Sequence, residues 1–329
     1  MTIKKQRPYI IVLLILFISL GIRAQDAQFS QFYANPLYLN PAFAGSKVCP
    51  RLVMNYRNQW PAIPGSYVTY NASFDMHFDG IGGGLGLLFT SDRAGQGVLT
   101  TQTISLIYSV RIKVSKHWAI KAGLQASFFQ KNLDWDKLTF GDQIDPKWGF
   151  SNVTAEKRPS NGEYNLMAPD FSGGFIVYNE KFFGGLAVHH LVPVDIGFSE
   201  ESFLPMKITG HMGYQFALTK GRQRPGDPTI SPNIVYMQQG PFHQFNYGAY
   251  FKKAPMIFGI WYRHFLEGSD AVILQAGFEY DKFKFGYSYD ITISELSTSS
   301  GGAHEFSFAL DFNCPVKKRR MREISCPAF

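Results

Sequence analysis

At 329 residues, with 30 Phe, 17 Tyr, 31 Gly and 17% charged residues, the chain has room for one large domain or two ordinary ones, and its composition suits a membrane barrel better than a soluble enzyme. The formal charge of +7 sits at the two ends: residues 1–24 carry Lys4, Lys5, Arg7 and Arg23 with no acid, and residues 313–329 carry five basic groups against Glu323, which leaves the body at −1. That excludes a nucleic-acid binder, which needs a basic face on its folded part, whereas a mean hydropathy of −0.10 excludes nothing, because the alternating faces of a barrel cancel in the average.

Residues 1–24 read as a secretory signal peptide, with a basic start, an apolar run from Tyr9 to Leu20 and small residues before the polar Gln25. The run is too short for a membrane helix, and no other stretch approaches the length of one. The mature chain is expected to begin near Gln25, with no neighbouring cysteine to carry a lipid.

Residues 25–50 open with QDAQFSQFYANPLYLNPAFAG. Two Asn-Pro steps, Asn35-Pro36 and Asn40-Pro41, interrupt regular structure, while Phe29, Phe32, Tyr33, Leu37, Tyr38, Leu39 and Phe43 are too apolar for a free linker. The expectation is a structured segment packed against the periplasmic end of a barrel, since an ordered, non-helical terminus must bury something.

From Arg51 the chain alternates with period two. Strands are expected at Arg51–Asn58, Tyr67–His77, Gly82–Ser91, Val98–Val114, Trp118–Gln130, Pro169–Tyr178, Phe182–Leu191, Met206–Thr219, Ile230–Gln238, Phe242–Phe251, Met256–His264, Val272–Tyr280, Lys282–Ile293 and His304–Phe312. The clearest hairpin is Ala271 to Ile293, with Leu274, Phe278, Phe285, Tyr287 and Ile291 on one face and Gln275, Lys284, Ser288 and Asp290 on the other. Lipid outside and water inside fits that pattern, so the fold class is all-β: a transmembrane outer-membrane barrel of about 14 antiparallel strands over residues 51–312. Loop lengths agree with both termini in the periplasm. The longest connections, Lys131 to Ala168 and Val192 to Pro205, fall on the outward side with Ser294 to Ala303, and most inward turns are short, Lys220 to Thr229 being the long one.

No catalytic constellation emerges. Gly82-Gly83-Gly84-Leu85-Gly86 lacks the Lys-Ser/Thr and the helix of a phosphate loop, and no Gly-x-Ser-x-Gly elbow exists. His189 and His190 are adjacent on a strand and point to opposite faces, so they cannot share a metal. Asp134, Asp136, Asp142 and Asp145 lie in the longest loop without EF-hand spacing and read as solvated carboxylates. No cofactor, metal or enzymatic activity is expected.

Three cysteines are present, Cys49, Cys314 and Cys326. In a closed barrel the first and last strands pair, so a staple between Cys49 and Cys314 competes with a local bridge between Cys314 and Cys326. In the tail, 313–329, Lys317, Lys318, Arg319, Arg320 and Arg322 face the periplasm as a solvated run, a contact for acidic lipid groups, or a docking strip for a periplasmic partner.

The opening segment resembles that of the PorP/SprF family of type IX secretion system membrane proteins. The match is carried by Gln25-Asp26, Gln28-Phe29-Ser30-Gln31, Asn35-Pro36-Leu37-Tyr38-Leu39-Asn40-Pro41-Ala42 and Gly45, then by Arg57-Asn58-Gln59-Trp60 with Pro64-Gly65, the LTFGDQID run from Leu138 to Asp145, and FGYSYDITISEL from Phe285 to Leu296 leading to Glu305. Ala27 stands where the family pattern expects proline. The resemblance implies a non-enzymatic outer-membrane component that helps to export and hold a large cell-surface adhesin of the gliding type through the adhesin's C-terminal domain. It also implies periplasmic and lipoprotein components of the secretion system as partners. A core machinery component linked to the periplasmic motor complex, and a passive porin-like channel, are the alternatives.

Overall fold

The computed structural model describes residues 25–47, 49–115, 117–156, 164–198, 202–219, 226–266, 268–294 and 300–313. The expected leader, the basic strip at 317–322, Cys314 and Cys326 lie outside the described residues. Fourteen antiparallel strands close on themselves. They are β1 (Arg51–Gln59), β2 (Tyr67–Phe78), β3 (Gly83–Ala94), β4 (Leu99–Lys113), β5 (Ala119–Leu133), β6 (Asn165–Tyr178), β7 (Phe182–His189), β8 (Lys207–Tyr214), β9 (Thr229–Gln239), β10 (Phe242–Lys253), β11 (Met256–Phe265), β12 (Gly268–Tyr280), β13 (Phe283–Thr292) and β14 (Ala303–Asp311). Each pairs with its neighbours in sequence, and β1 pairs with β14 from Arg51 opposite Asp311 to Gln59 opposite Ala303, so no edge is left to template another chain. Among the described residues no helix is long and apolar enough to cross a membrane. The crossing is made by strands.

Side chains alternate as the period predicts. Leu274, Phe278, Phe285, Tyr287 and Phe306 stand exposed on the outside, while Ile273, Gln275, Lys284, Ser288 and Glu305 are buried inside. Connections 134–164 and 190–206 gather at one end, each carrying a small hairpin of its own (Ile144–Asp145 with Gly149–Phe150; Val194–Asp195 with Phe203–Leu204). The opposite end, where β1 starts and β14 stops, has mostly short turns, 215–228 excepted. Bacterial barrels turn their long loops outward, so these ends are called the outward and inward rims.

Three strands depart from expectation by four residues or more, β12 by starting at Gly268 rather than Val272. β8 stops at Tyr214 rather than running to Thr219: the Gln215 amide still donates to the Lys181 carbonyl (2.8 Å), but pairing with β9 lapses after Gly213, where the next β9 residue in register is Pro232 with no amide proton, and resumes only at Phe216–Ala217. β6 begins four residues before Pro169, which sits in register with Phe128.

The core lies where a barrel of open lumen would hold water. Phe32, Tyr33, Leu37, Leu39, Phe43 and Ala44 of the N-terminal segment pack with inward-facing Ile107, Ile176, Phe183, Val235, Tyr250, Trp261 and Ile273. The expectation of a segment packed against the periplasmic end is therefore corrected: residues 25–45 run through the lumen. The reason is in their composition, since seven apolar side chains in an irregular segment are hidden best where the wall surrounds them.

Candidate functional site: the filled lumen

The segment descends from the outward rim at Asp26, which meets β8, β9 and His190 just past the end of β7, to the inward rim at Gly45, which meets β2 and β3. Its two halves are held differently.

The inward half is shaped by its prolines. Pro36 opens a one-turn helix, Pro36–Leu39, and Pro41 opens a 3-10 turn, Pro41–Phe43, in both cases at the position that needs no amide proton. Asn40 caps the second turn by accepting from the Ala42 amide (2.9 Å). Its Nδ2 also donates to the carbonyls of Phe175 (3.2 Å) and Leu186 (3.1 Å), tying the segment to β6 and β7. The turn lies directly on glycines of the wall. A Cβ on Gly123 would stand 2.5 Å from the Ala42 nitrogen, one on Gly84 2.3 Å from the Ala44 oxygen, and one on Gly174 2.3 Å from the Asn40 Oδ1. Backbone can approach backbone this closely only where the wall has no side chain. At the end of the turn, the Ala44 carbonyl accepts from Ser109 Oγ and Lys121 Nζ, each at 2.6 Å. The Gly45 amide donates to Asp75 (2.8 Å), which is itself paired with Arg51. Gly45 has a positive φ of 59° and little room for a Cβ, which explains glycine there. Between these polar ends, Phe32 lies 5.1 Å from Trp261 and Tyr33 5.3 Å edge-on to Phe183, contacts worth about 0.5–1.5 kcal/mol each beyond the area they bury.

The outward half is held by charge. The Ser30 amide donates to Glu305 Oε2 (2.6 Å), the Gln31 amide to Glu305 Oε1 (3.1 Å), and Ser30 Oγ to Asp290 (2.6 Å). Arg57 reaches Asp290 (2.9 Å), Glu305 (3.2 Å) and the Ser30 hydroxyl (2.8 Å). Arg263 pairs with Asp290 (3.0 Å) and Asp270. Gln31 closes the set through the Glu305 carbonyl and Ser307. Arg57 and Glu305 are fully buried, and charges so buried are tolerable only when paired and hydrogen-bonded as these are. Higher still, Asp26 pairs with His190 Nε2 (3.0 Å) and Lys207 (3.3 Å), and Asp170 meets the other ring nitrogen of His190, Nδ1 (3.2 Å). Burial opposes charge on Asp26, but His190 and Lys207 outweigh it and hold its carboxyl well below the usual range.

Above this floor an outward cavity of ≈ 750 Å³ remains, walled by Trp60, Tyr67, Asp92, Phe242, Arg263 and Asp270 among others.

Most residues singled out in the sequence come together here. Asp26, Phe29, Ser30, Gln31, Asn35, Pro36, Leu37, Asn40, Pro41 and Gly45 are the segment itself, buried or half-buried throughout. Gln59 accepts from Arg57 (3.4 Å), and Trp60, with a left-handed φ of 58°, stands edge-on to Tyr67 at 5.7 Å, so both join the cavity wall with Gln25. Arg57, from one motif stretch, and Asp290 and Glu305, from another far along the chain, meet on Ser30 and Gln31. The Leu138 to Asp145 run instead forms turns of the longest loop, where Asp142 accepts from the Ala155 amide (2.6 Å) and Asp145 from Lys147 (2.7 Å). Cys49 is disulfide-bonded, to a partner outside the described residues. Sequence reasoning missed Lys121, Lys207, Arg263, Gly123, Gly174 and the role of His190. Its left-handed backbone (φ 57°) breaks the strand alternation there. Among the described residues no group of three His, Cys, Asp or Glu could hold a metal ion.

A closed barrel with an apolar outer surface, polar strand faces turned inward and long loops at one rim is an outer-membrane protein. The family model for the type IX secretion system membrane protein PorP/SprF matches residues 22–310, and the chain belongs to that family. No curated protein sequence matches it. Among solved structures, the Ralstonia pickettii toluene transporter TbuX is similar at 10% identity (84% of this chain, 93% of that one, TM-score 0.49). The CymD monoaromatic hydrocarbon channel is similar at 11% (88% and 95%, 0.49) and Acinetobacter baumannii Omp33 at 6% (82% and 100%, 0.46).

Proposed function

We propose that this barrel acts without chemistry, as the outer-membrane component that helps to export and then hold a large cell-surface adhesin through the adhesin's C-terminal domain. The observation that carries this reading is the filled lumen. Residues of two separate motif stretches, Arg57 and the pair Asp290 and Glu305, are spent on seating residues 25–45 inside the wall, an arrangement that suits a holding platform with a closed floor and disfavours a passive channel. The outward cavity and the loops at 134–164 and 190–206 are the surfaces on which a C-terminal domain would rest. Residues 25–45 are inside the barrel, so coupling to periplasmic and lipoprotein components of the secretion system falls to the inward turns and to the basic strip Lys317, Lys318, Arg319, Arg320 and Arg322.

Gentle detergent extraction of the tagged protein from its native membrane, with identification of the proteins that co-purify, tests the reading. A large surface protein at near-equal amount is expected, and replacing 135–163 by a short glycine-serine turn should lose it while the barrel stays folded. Recovery of secretion machinery alone would move the assignment to a core component. Strong constitutive conductance in planar bilayers would return it to a channel.

A further inference from the structure

Residues 25–31 lie against the wall as a bound peptide would. They form no helix or strand, and the wall holds their main chain with side chains from three strands. Glu305 of β14 accepts from two successive amides, Ser30 (2.6 Å) and Gln31 (3.1 Å), Gln275 of β12 donates to the Ser30 carbonyl (2.8 Å), and Gln239 of β9 accepts from the Asp26 amide (3.0 Å). Those four bonds read backbone and not sequence. Sequence is read at two points. Lys207 and His190 take the Asp26 carboxylate, while Arg57 and Arg263 donate to the Ser30 hydroxyl (2.8 and 3.2 Å), which itself donates to Asp290 (2.6 Å). Two further observations separate this stretch from ordinary core. The outward cavity opens directly onto it, for Asp26, Ala27 and Gln28 line that space together with the Arg57, Arg263 and Asp290 that hold Ser30, and residues 36–45 take no part in its wall. On the other flank a void of ≈ 20 Å³ remains between Phe29 and Asn35 of the segment and Lys207 and Thr209 of β8, so the groove is wider than its occupant, whereas a close-packed core leaves few voids of water size.

We propose that residues 25–31 are an internal stand-in, filling a peptide groove that an extended segment of the held surface protein takes in their place while residues 36–45 stay seated as the floor. The chemistry of the stand-in defines the incoming segment: a free main chain for Glu305, Gln275 and Gln239, and a carboxylate four residues ahead of a small hydroxyl side chain, as Asp26 is to Ser30. That the segment belongs to the surface protein rests on the function proposed above; that the groove accepts a peptide in trans rests on the contacts.

The test uses the full-length barrel in detergent with residues 25–31 replaced by a glycine-serine run of the same length, and a blocked, fluorescently labelled peptide QDAQFSQ copied from those residues. The vacated barrel is expected to bind the peptide, and the unaltered barrel, whose groove is filled, to bind it about tenfold more weakly or worse. Peptides carrying Asp26→Asn or Ser30→Ala should each lose about tenfold, because each removes a hydrogen bond to a charged partner. The double change Asp26→Asn and Ser30→Ala in the otherwise unaltered chain loosens the stand-in without removing it and should give peptide binding between those limits, which keeps the test decisive if the replaced segment prevents folding. Heat-dependent gel mobility verifies that each variant is a folded barrel. Failure of the folded variants to bind QDAQFSQ would overturn the proposal, as would equal binding of a scrambled peptide or equal binding by the unaltered barrel. On the complex extracted from the native membrane, excess QDAQFSQ should release the surface protein. Full retention would overturn its place in the groove and leave the holding function standing. Peptide binding to the vacated barrel with no surface protein co-purifying would overturn the holding function and leave the groove.

Discussion

The two halves of the lumen segment are separated by only a few residues and are fixed by opposite means. Residues 36–45 sit on the wall by shape: backbone against glycine at 84 and 123, the Asn40 side chain against Gly174, rings against rings, and a few hydrogen bonds at the last turn. Residues 26–31 are fixed by charge, through Glu305, Asp290, Arg57 and Arg263 below and His190 and Lys207 above. A shape-based seat depends less on pH and salt but is intolerant of a single added methyl group. A charge-based seat tolerates small steric change and fails when one partner is removed or neutralised.

That contrast can be broken first at Gly123. Gly123→Val would drive a side chain into the Pro41–Ala42 backbone, and the expected outcome is a segment expelled from the lumen while the strands stay paired. The readouts are a large rise in bilayer conductance and protease cleavage within residues 25–45, with unchanged heat-dependent gel mobility. Next in size is Arg57→Met, which leaves Asp290 and Glu305 buried without their shared cation. It should cost about 3–5 kcal/mol of plug seating, measured as loss of hydrogen-exchange protection at the Ser30 and Gln31 amides, with the 36–45 half less affected.

Asp26→Asn is smaller, about 1.5–3 kcal/mol for a charge-assisted pair, and it carries a pH signature. Burial opposes charge on His190, but Asp26 and Asp170 outweigh it and raise the imidazole from 6.5 to about 10. A raised folded pKa means the latch is fully present below about pH 6.5, weakens as pH climbs and is lost above about pH 10. Protection of the Asp26–Gln31 amides, corrected for intrinsic exchange, should follow that curve, and His190→Gln should flatten it. The smallest effect is expected from Asp142→Ala. The Ala155 amide and the Thr154 hydroxyl hold the Asp142 carboxyl below its ordinary range, so the change should loosen the long loop. Exchange protection of the plug amides should stay as it is in the unaltered protein, which separates the loop from the lumen.

The strands were legible because a barrel wall writes its two environments into alternate residues. Gln275, Lys284 and Ser288 against Leu274, Phe285 and Tyr287 need no structure to be read. The plug was legible as a thing to be buried, through Phe29, Phe32, Tyr33 and Leu37, but its place was not, because an apolar irregular segment says nothing about which surface hides it. Its partners were half legible. Arg57, Asp290 and Glu305 stood in motif stretches, whereas Lys121, Lys207 and Arg263 looked like any other polar residue facing a lumen. The wall glycines were hidden for a related reason. A glycine that yields to curvature and one that yields to a neighbouring backbone are the same letter, and only the Pro41–Gly45 turn distinguishes Gly123 and Gly84.

Ser30 and Glu305 are 275 residues apart, and this separation sets the order of assembly. Residues 26–31 have anchors on β13 and β14, the last strands of the sheet, so their seat is complete only once the hairpin ending at Asp311 has paired. The segment must wait for the sheet to curl and be enclosed as the ring shuts, because a closed ring of strands leaves it only the open rims as a way in. Seating then reports completion: a barrel missing its final hairpin offers residues 26–31 no counter-charges, and the 36–45 turn would be gripped by an unfinished wall.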